Sequence, residues 1–223
     1  MSFFEILQQK TITERRTLLS APVIDKALNS RLTLDEYVSF LCQAYHHVKH
    51  TVPLLMAAGS KLDHSQEWLR LAIAEYIEEE LGHQEWILND IAVCGFSRKR
   101  AELGQPNIAT ELMISYAYDT INRVNPLGFF GMVHVLEGTS IQVASQAAEC
   151  IQSSLNLPNT AFSYLNSHGA LDIEHVDFFE SLMNKITSES DQNQIIHSAK
   201  VFYKLYGDIF RSIDANHSVP KQQ

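Results

Sequence analysis

The sequence predicts an all-α fold, a single-domain bundle of about seven or eight helices. Apolar residues recur at steps of three and four through most of the 223 residues. No alternating run reaches convincing strand length. There is also no internal repeat, low-complexity stretch or interdomain linker, so residues 1–223 read as one domain.

The elements follow in order. Residues 33–52, TLDEYVSFLCQAYHHVKHTV, place Leu34, Val38, Leu41, Tyr45 and Val48 on one face, with Thr33 as the N-cap. Pro53 kinks or ends that helix. A long helix is expected over 65–93, stopped by Gly95 as a C-terminal glycine. A short helix spans 97–103, and GQPN at 104–107 is a break. The next helix covers 109–123. Asn125-Pro126 opens another that runs to about 155, and 160–186 is largely helical. The last helix, 191–213, sets Ile195, Phe202, Leu205, Ile209 and Ile213 on one side, and the polar stretch 214–223 is expected to fray.

Composition narrows the function. Hydrophobic residues make up 45% and charged residues 19%, as in globular proteins. The formal charge of -9, from 26 acids against 17 bases, argues against nucleic acid as a partner and against docking on an anionic membrane. Cys42, Cys94 and Cys150 are far apart and form no CxxC pair, which reads as reduced thiols in a cytoplasmic protein. No stretch approaches the roughly 18 apolar residues of a membrane span, and the N-terminus is not a signal peptide.

Three groups of residues could carry chemistry. In HGALDIEH, His168, Asp172 and His175 fall at i, i+4 and i+7, so a helix turns all three the same way. Imidazole and carboxylate donors together suit iron, manganese or zinc, and the alternative is a solvated face with an incidental histidine pair. In EYIEEELGHQEW, Glu79 and Glu80 lie four and three residues before His83, within reach of it, while Glu75, Glu78 and Glu85 read as solvated surface. Glu137 is the lone acid in LGFFGMVHVLEGTSIQVA, where a buried carboxylate needs a partner: a metal, or a hydrogen bond from Tyr or His. His134, one turn earlier, reads as a core histidine. Jointly these are three helices that each turn ligands inward, as in metal-binding bundles. His46, His47 and His50 form a fourth group. His46 and His50, at i and i+4, could bind metal, line a substrate pocket with Gln43 and Tyr45, or face water. Tyr76 is a further pocket residue, whereas Phe129 and Phe130 read as core.

The order FLCQAYHHV, then EELGHQEW, then a lone Glu in the helix after Asn-Pro, then H-x3-D-x2-H, resembles the haem-oxygenase-like superfamily over nearly the whole chain. That superfamily includes TenA-type thiamin-salvage hydrolases, the PqqC-type cofactorless oxidase and the haem-oxygenase-like diiron oxidases. The diiron branch is the nearest in motif. Carried over residue by residue, the resemblance implies His83, Glu137, His168, Asp172 and His175 as metal ligands. Many members carry a Glu seven residues before the first of these histidines, where this chain has Tyr76, so the sixth ligand falls to Glu80, with Glu79 as the alternative. The implied cofactor is two Fe(II), one of them weakly held, with manganese fitting the same donors. The implied reaction is O2-dependent oxidation of a small organic metabolite by a cytoplasmic, homodimeric enzyme.

Other members are less favoured by the residues. The aminopyrimidine hydrolases need a cysteine in the long central helix, which here reads VHVLEGTS. Haem oxygenases need a histidine near the N-terminus, and none precedes His46. The PqqC-like oxidase uses a basic pocket. A ligand-binding bundle without catalysis is the remaining alternative.

Overall fold

The computed structural model describes residues 1–213, and of residues 168–175 it describes the backbone alone. The stretch 214–223, expected to fray, lies outside the described residues. Among the described residues the secondary structure is helical and contains no strand. No helix among them is long and apolar enough to cross a membrane. Cys42, Cys94 and Cys150 are free thiols.

Three short helices open the chain: α1 (Phe3–Lys10), α2 (Ile12–Leu19) and α3 (Pro22–Leu28). The apolar pattern predicts no helix here, because seven or eight residues make only two turns and show no clear period. Their local signals are at the ends. Ser2 and Glu5 form a capping box, and Pro22 occupies the first turn of α3.

Helix α4 (Leu34–Val48) begins at Thr33 as expected, and Thr33 and Glu36 complete a capping box that Lys26 reaches at 2.5 Å. The chain breaks at Lys49–His50, before Pro53, so Pro53 sits in the first turn of α5 (Thr51–Lys61), where a missing N–H costs nothing. The helix expected over 65–93 is two helices, α6 (Glu67–Glu80) and α7 (His83–Val93). Gly82, at φ 92, takes a left-handed turn between them that interrupts an otherwise continuous apolar period. Gly95, at φ 83, ends α7 as expected: Gly95 and Phe96 donate back to Ala92 and Ile91.

Helices α8 (Arg98–Leu103) and α9 (Ile108–Asp119) follow, and α9 ends in a π turn over Thr120–Val124. The spine of the bundle is α10 (Phe129–Leu155), which packs on α3, on α11 (Ser163–Met183) and on α12 (Glu189–Arg211). Ile195, Phe202 and Ile209 of α12 enter the core. Two backbones meet at Gly131: a Cβ there would lie 2.6 Å from the Ala199 nitrogen and 2.9 Å from the Ile195 oxygen. On the same helix Gly138 faces open space, with nothing within 4 Å of a Cβ.

These two glycines give opposite expectations. Gly131→Ala must push α10 off α12 and should cost about 1–3 kcal/mol in urea unfolding. Gly138→Ala relieves helix entropy and should gain about 0.5–1 kcal/mol. Equal effects at the two positions would contradict this packing.

Candidate functional site

Inside the bundle a cavity of about 70 Å³ gathers Glu80, Glu137, Tyr76 and His47 within an otherwise largely apolar wall. Tyr76 and Glu80 are one turn apart on α6, so both reach the same face. Glu137 stands at the end of the buried apolar run of α10, whose Phe129, Met132 and Val133 also line the cavity. Phe130, by contrast, is wholly core. Tyr164 of α11 and Tyr206 of α12 close the remaining side.

The helix break at Gly82 shapes the acidic corner. α6 stops at Glu80, and His83 is the first residue of α7. The His83 imidazole is 2% exposed, its Nδ1 is 3.0 Å from Oε2 of Glu80, and its ring stacks on Trp86 at 4.0 Å. The two groups therefore meet across a turn and not along one helix face, as the sequence spacing suggested. Glu79 is exposed and Glu80 lines the cavity, which distinguishes the two alternatives for the acid nearest His83. The Oε2 of Glu137 is withdrawn from solvent. Burial raises the Tyr76 pKa far above the usual phenol range. The charge of Glu137, a hydrogen bond to it and the charges of Glu79 and Glu80 raise it further, so the phenol keeps its proton and offers it to Glu137.

Asp90 ties this corner to α11. It is fully buried on α7 and accepts from the backbone N–H groups of Ser163 at 3.0 Å and Tyr164 at 2.9 Å. The Tyr37 hydroxyl donates to the Ala161 carbonyl at 2.8 Å, just upstream. The first turn of α11 is thereby held to α7 and α4, and α11 runs on against α10 and α7. The side chains of His168, Asp172 and His175 lie outside the described residues. Among the described residues no group of three or more His, Cys, Asp or Glu is gathered closely enough to hold a metal ion. Of the expected ligands, Glu80 and His83 are in contact and Glu137 lines the same cavity as Glu80.

Three residues expected in the substrate pocket lie elsewhere. The Gln43 amide oxygen accepts from the Asn107 N–H at 3.0 Å and the Thr110 hydroxyl at 2.8 Å, joining α4 to α9. The Tyr45 ring lies under Lys49, whose Nζ is 5.2 Å from its centroid. His46 is buried with its Nδ1 3.3 Å from Lys49 Nζ, and burial lowers its pKa to about 4. His50 meets the Tyr118 hydroxyl at 3.2 Å. The residue of this group that faces the cavity is His47, set edge-on to Tyr206 at 5.7 Å. Neighbouring histidines on a helix point about 100° apart. Only packing against α7 and α9 decides which one turns inward.

A helical bundle with a long central helix and an acidic, aromatic cavity beside it has the architecture of the haem-oxygenase-like fold. Solved structures similar to it agree. One is a domain of unknown function with a haem oxygenase-like fold from Shewanella denitrificans OS217, 21% identical over 96% of this chain and 92% of that one, at a TM-score of 0.83. Another is a TenA homologue from Pseudomonas syringae pv. tomato DC3000, 12% identical over 95% and 91%, at 0.76. A third is a haem oxygenase from Leptospira interrogans, 16% identical over 95% and 99%, at 0.75. Residues 38–207 match the family described as iron-containing redox enzyme, and the chain belongs to that family. No curated protein matches it in sequence.

His134 faces away from the main cavity and is a core histidine. It packs edge-on to Phe4 and Tyr203 and stacks on Phe179, each about 6 Å away. Burial, helped by the charge of Arg15, lowers its pKa to about 4. A depressed histidine pKa means that the unfolded chain binds the extra proton first as pH falls from roughly 6.5. The stabilisation is complete above pH ~6.5 and is lost towards pH ~4, with an upper bound on the order of 3 kcal/mol. Melting temperatures across this window should fall less steeply in His134→Phe than in the wild type. An unchanged slope would show that His134 does not contribute.

Proposed function

We propose that the protein is an O2-dependent non-haem iron oxidase or oxygenase acting on a small organic molecule. The observation that carries this reading is the acidic corner itself. A buried imidazole, His83, touches the Glu80 carboxylate, and a second carboxylate, Glu137, faces the same largely apolar cavity. Withdrawing such groups from water costs several kcal/mol unless a cation or hydrogen bonds compensate. Carboxylate and imidazole donors of this kind suit iron and, equally, manganese.

Glu80, His83 and Glu137 would hold the metal together with His168, Asp172 and His175, which lie outside the described side chains; two Fe(II) per chain is the proposed loading. Iron supplies the activation of O2 when bound. The protein's own groups do the rest. Tyr76 keeps its proton and orients the Glu137 carboxylate. Val48, Leu55, Phe129, Met132 and Val133 keep bulk water away from the reacting end. No cysteine lines this cavity among the described residues, and burial pushes the thiols of Cys42 and Cys94 up to about 12, which disfavours hydrolysis through a thiolate. No Lys or Arg lines it among the described residues to receive an acidic quinone.

An anaerobic Fe(II) titration tests the proposal, read by bound iron and by melting temperature. About two irons per chain are expected. At free Fe(II) about a hundred times Kd, each iron bound should add about 2.7 kcal/mol of stability. Aeration in the presence of substrate should consume O2. Glu137→Gln and His83→Ala should each lose at least half of the bound iron while still folding. Full iron loading in both variants would overturn the assignment.

A further inference from the structure

A second cavity, again of about 70 Å³, adjoins the first. The two share Ser140, Tyr164 and Tyr206 in their walls. Tyr206 stands between them, edge-on to His47 on one side and 4.6 Å from Phe210 on the other. Past this collar the wall is almost entirely hydrocarbon, with Val23 and Ile24 of α3 facing Val143, Ala147 and Ile151 of α10. Phe40 and Phe210, stacked at 6.0 Å, close one side. Besides the three collar residues, the hydroxyl in this lining among the described residues is that of Thr139, which donates to the Val135 carbonyl at 2.6 Å and is satisfied. No charged residue and no histidine lines this space among the described residues.

The α10 wall of this cavity is long. From Ser140 to Ile151 the α10 wall advances eleven residues, about 16 Å along the helix. Ala144 and Ala147 face the space, where longer side chains would fill it. An unfilled apolar void forfeits dispersion contacts and lowers stability, so a core free to repack would close it. An apolar guest restores those contacts and needs no polar partner.

We infer that the substrate is amphipathic. Its unbranched hydrocarbon chain lies in the second cavity, and its polar end sits in the first, among Glu80, Glu137 and His47. This assignment rests on the reading of the first cavity as the reaction site.

Calorimetric titration of the Fe(II)-loaded full chain with straight-chain 1-alkanols, 1-alkylamines and alkanoates, from hexyl to dodecyl, tests it. Each added methylene should tighten binding about three- to fourfold until the cavity is full, from ~0.8 kcal/mol per buried CH2 and ~1.4 kcal/mol per tenfold. The head group that binds best at equal chain length identifies the polar end. Ala147→Phe should abolish the chain-length dependence for the longer homologues. Ala144→Leu, a smaller change, should shorten the chain at which binding levels off. Both variants should retain wild-type Fe(II) stoichiometry, because the substitutions lie two turns or more beyond Glu137. Affinity independent of chain length, or unchanged in both variants, would overturn the inference. Chain-length-dependent binding in a protein that takes up no iron would leave the second cavity standing and remove the proposed oxidase.

Discussion

The site depends first on one buried carboxylate. Asp90 is fully buried and its two oxygens take the first free N–H groups of α11. A helix N-terminus carries a partial positive charge, so the acceptor oxygens of Asp90 and the helix satisfy each other inside the core. Burial raises the Asp90 pKa and the hydrogen bonds from Ser163 and Tyr164 oppose the rise. The consequence is geometric. Asp90 lies seven residues after His83 on one short helix, so the same rigid element sets the imidazole against Glu80 and the start of the helix that carries residues 168–175. Moving α7 moves both.

The second constraint is the line along which α10 meets α12. Gly128 and Gly131 bring the two helices so close that any side chain would strike backbone or side-chain atoms. This contact fixes the rotation of α10 about its axis. Met132, Val133, Leu136, Glu137 and Ser140 are turned together into the first cavity, and Val143, Ala144 and Ala147 follow them into the second. A single helix thus writes both the polar and the apolar ends of the pocket, in the order in which its sequence lists them.

Much of this arrangement is legible in the sequence. The period of the long helices, the Thr33 cap, the Gly95 stop and the isolation of Glu137 in an apolar run are local facts, and local facts survive folding. The failures share a different cause. The split at Gly82 is decided by one left-handed residue inside a run of good helix formers, where propensity favours continuity. The choice of His47 over His46, and the diversion of Gln43 to Asn107 and Thr110, depend on how α4 is rotated against α7 and α9. No feature of α4 alone encodes that rotation. The collar of Tyr164 and Tyr206 joins residues from two helices, and nothing in either helix marks its tyrosine as different from a core aromatic. The second cavity was not legible at all, since a void is a property of what several segments leave unfilled.

The stacking of Trp86 on His83 makes the corner visible to light. The chain has two tryptophans. Trp68 lies on α6 with Lys185 over its ring at 5.7 Å, far along the helix from the acidic corner. Trp86 is in face-to-face contact with the imidazole at 4.0 Å. An indole excited state responds to charge and to electron acceptors at van der Waals distance, so protonation or ligation of His83 changes the emission of one fluorophore and spares the other. The protein therefore carries an optical probe of its own site, placed there by packing, and no label need be attached to follow what that histidine binds.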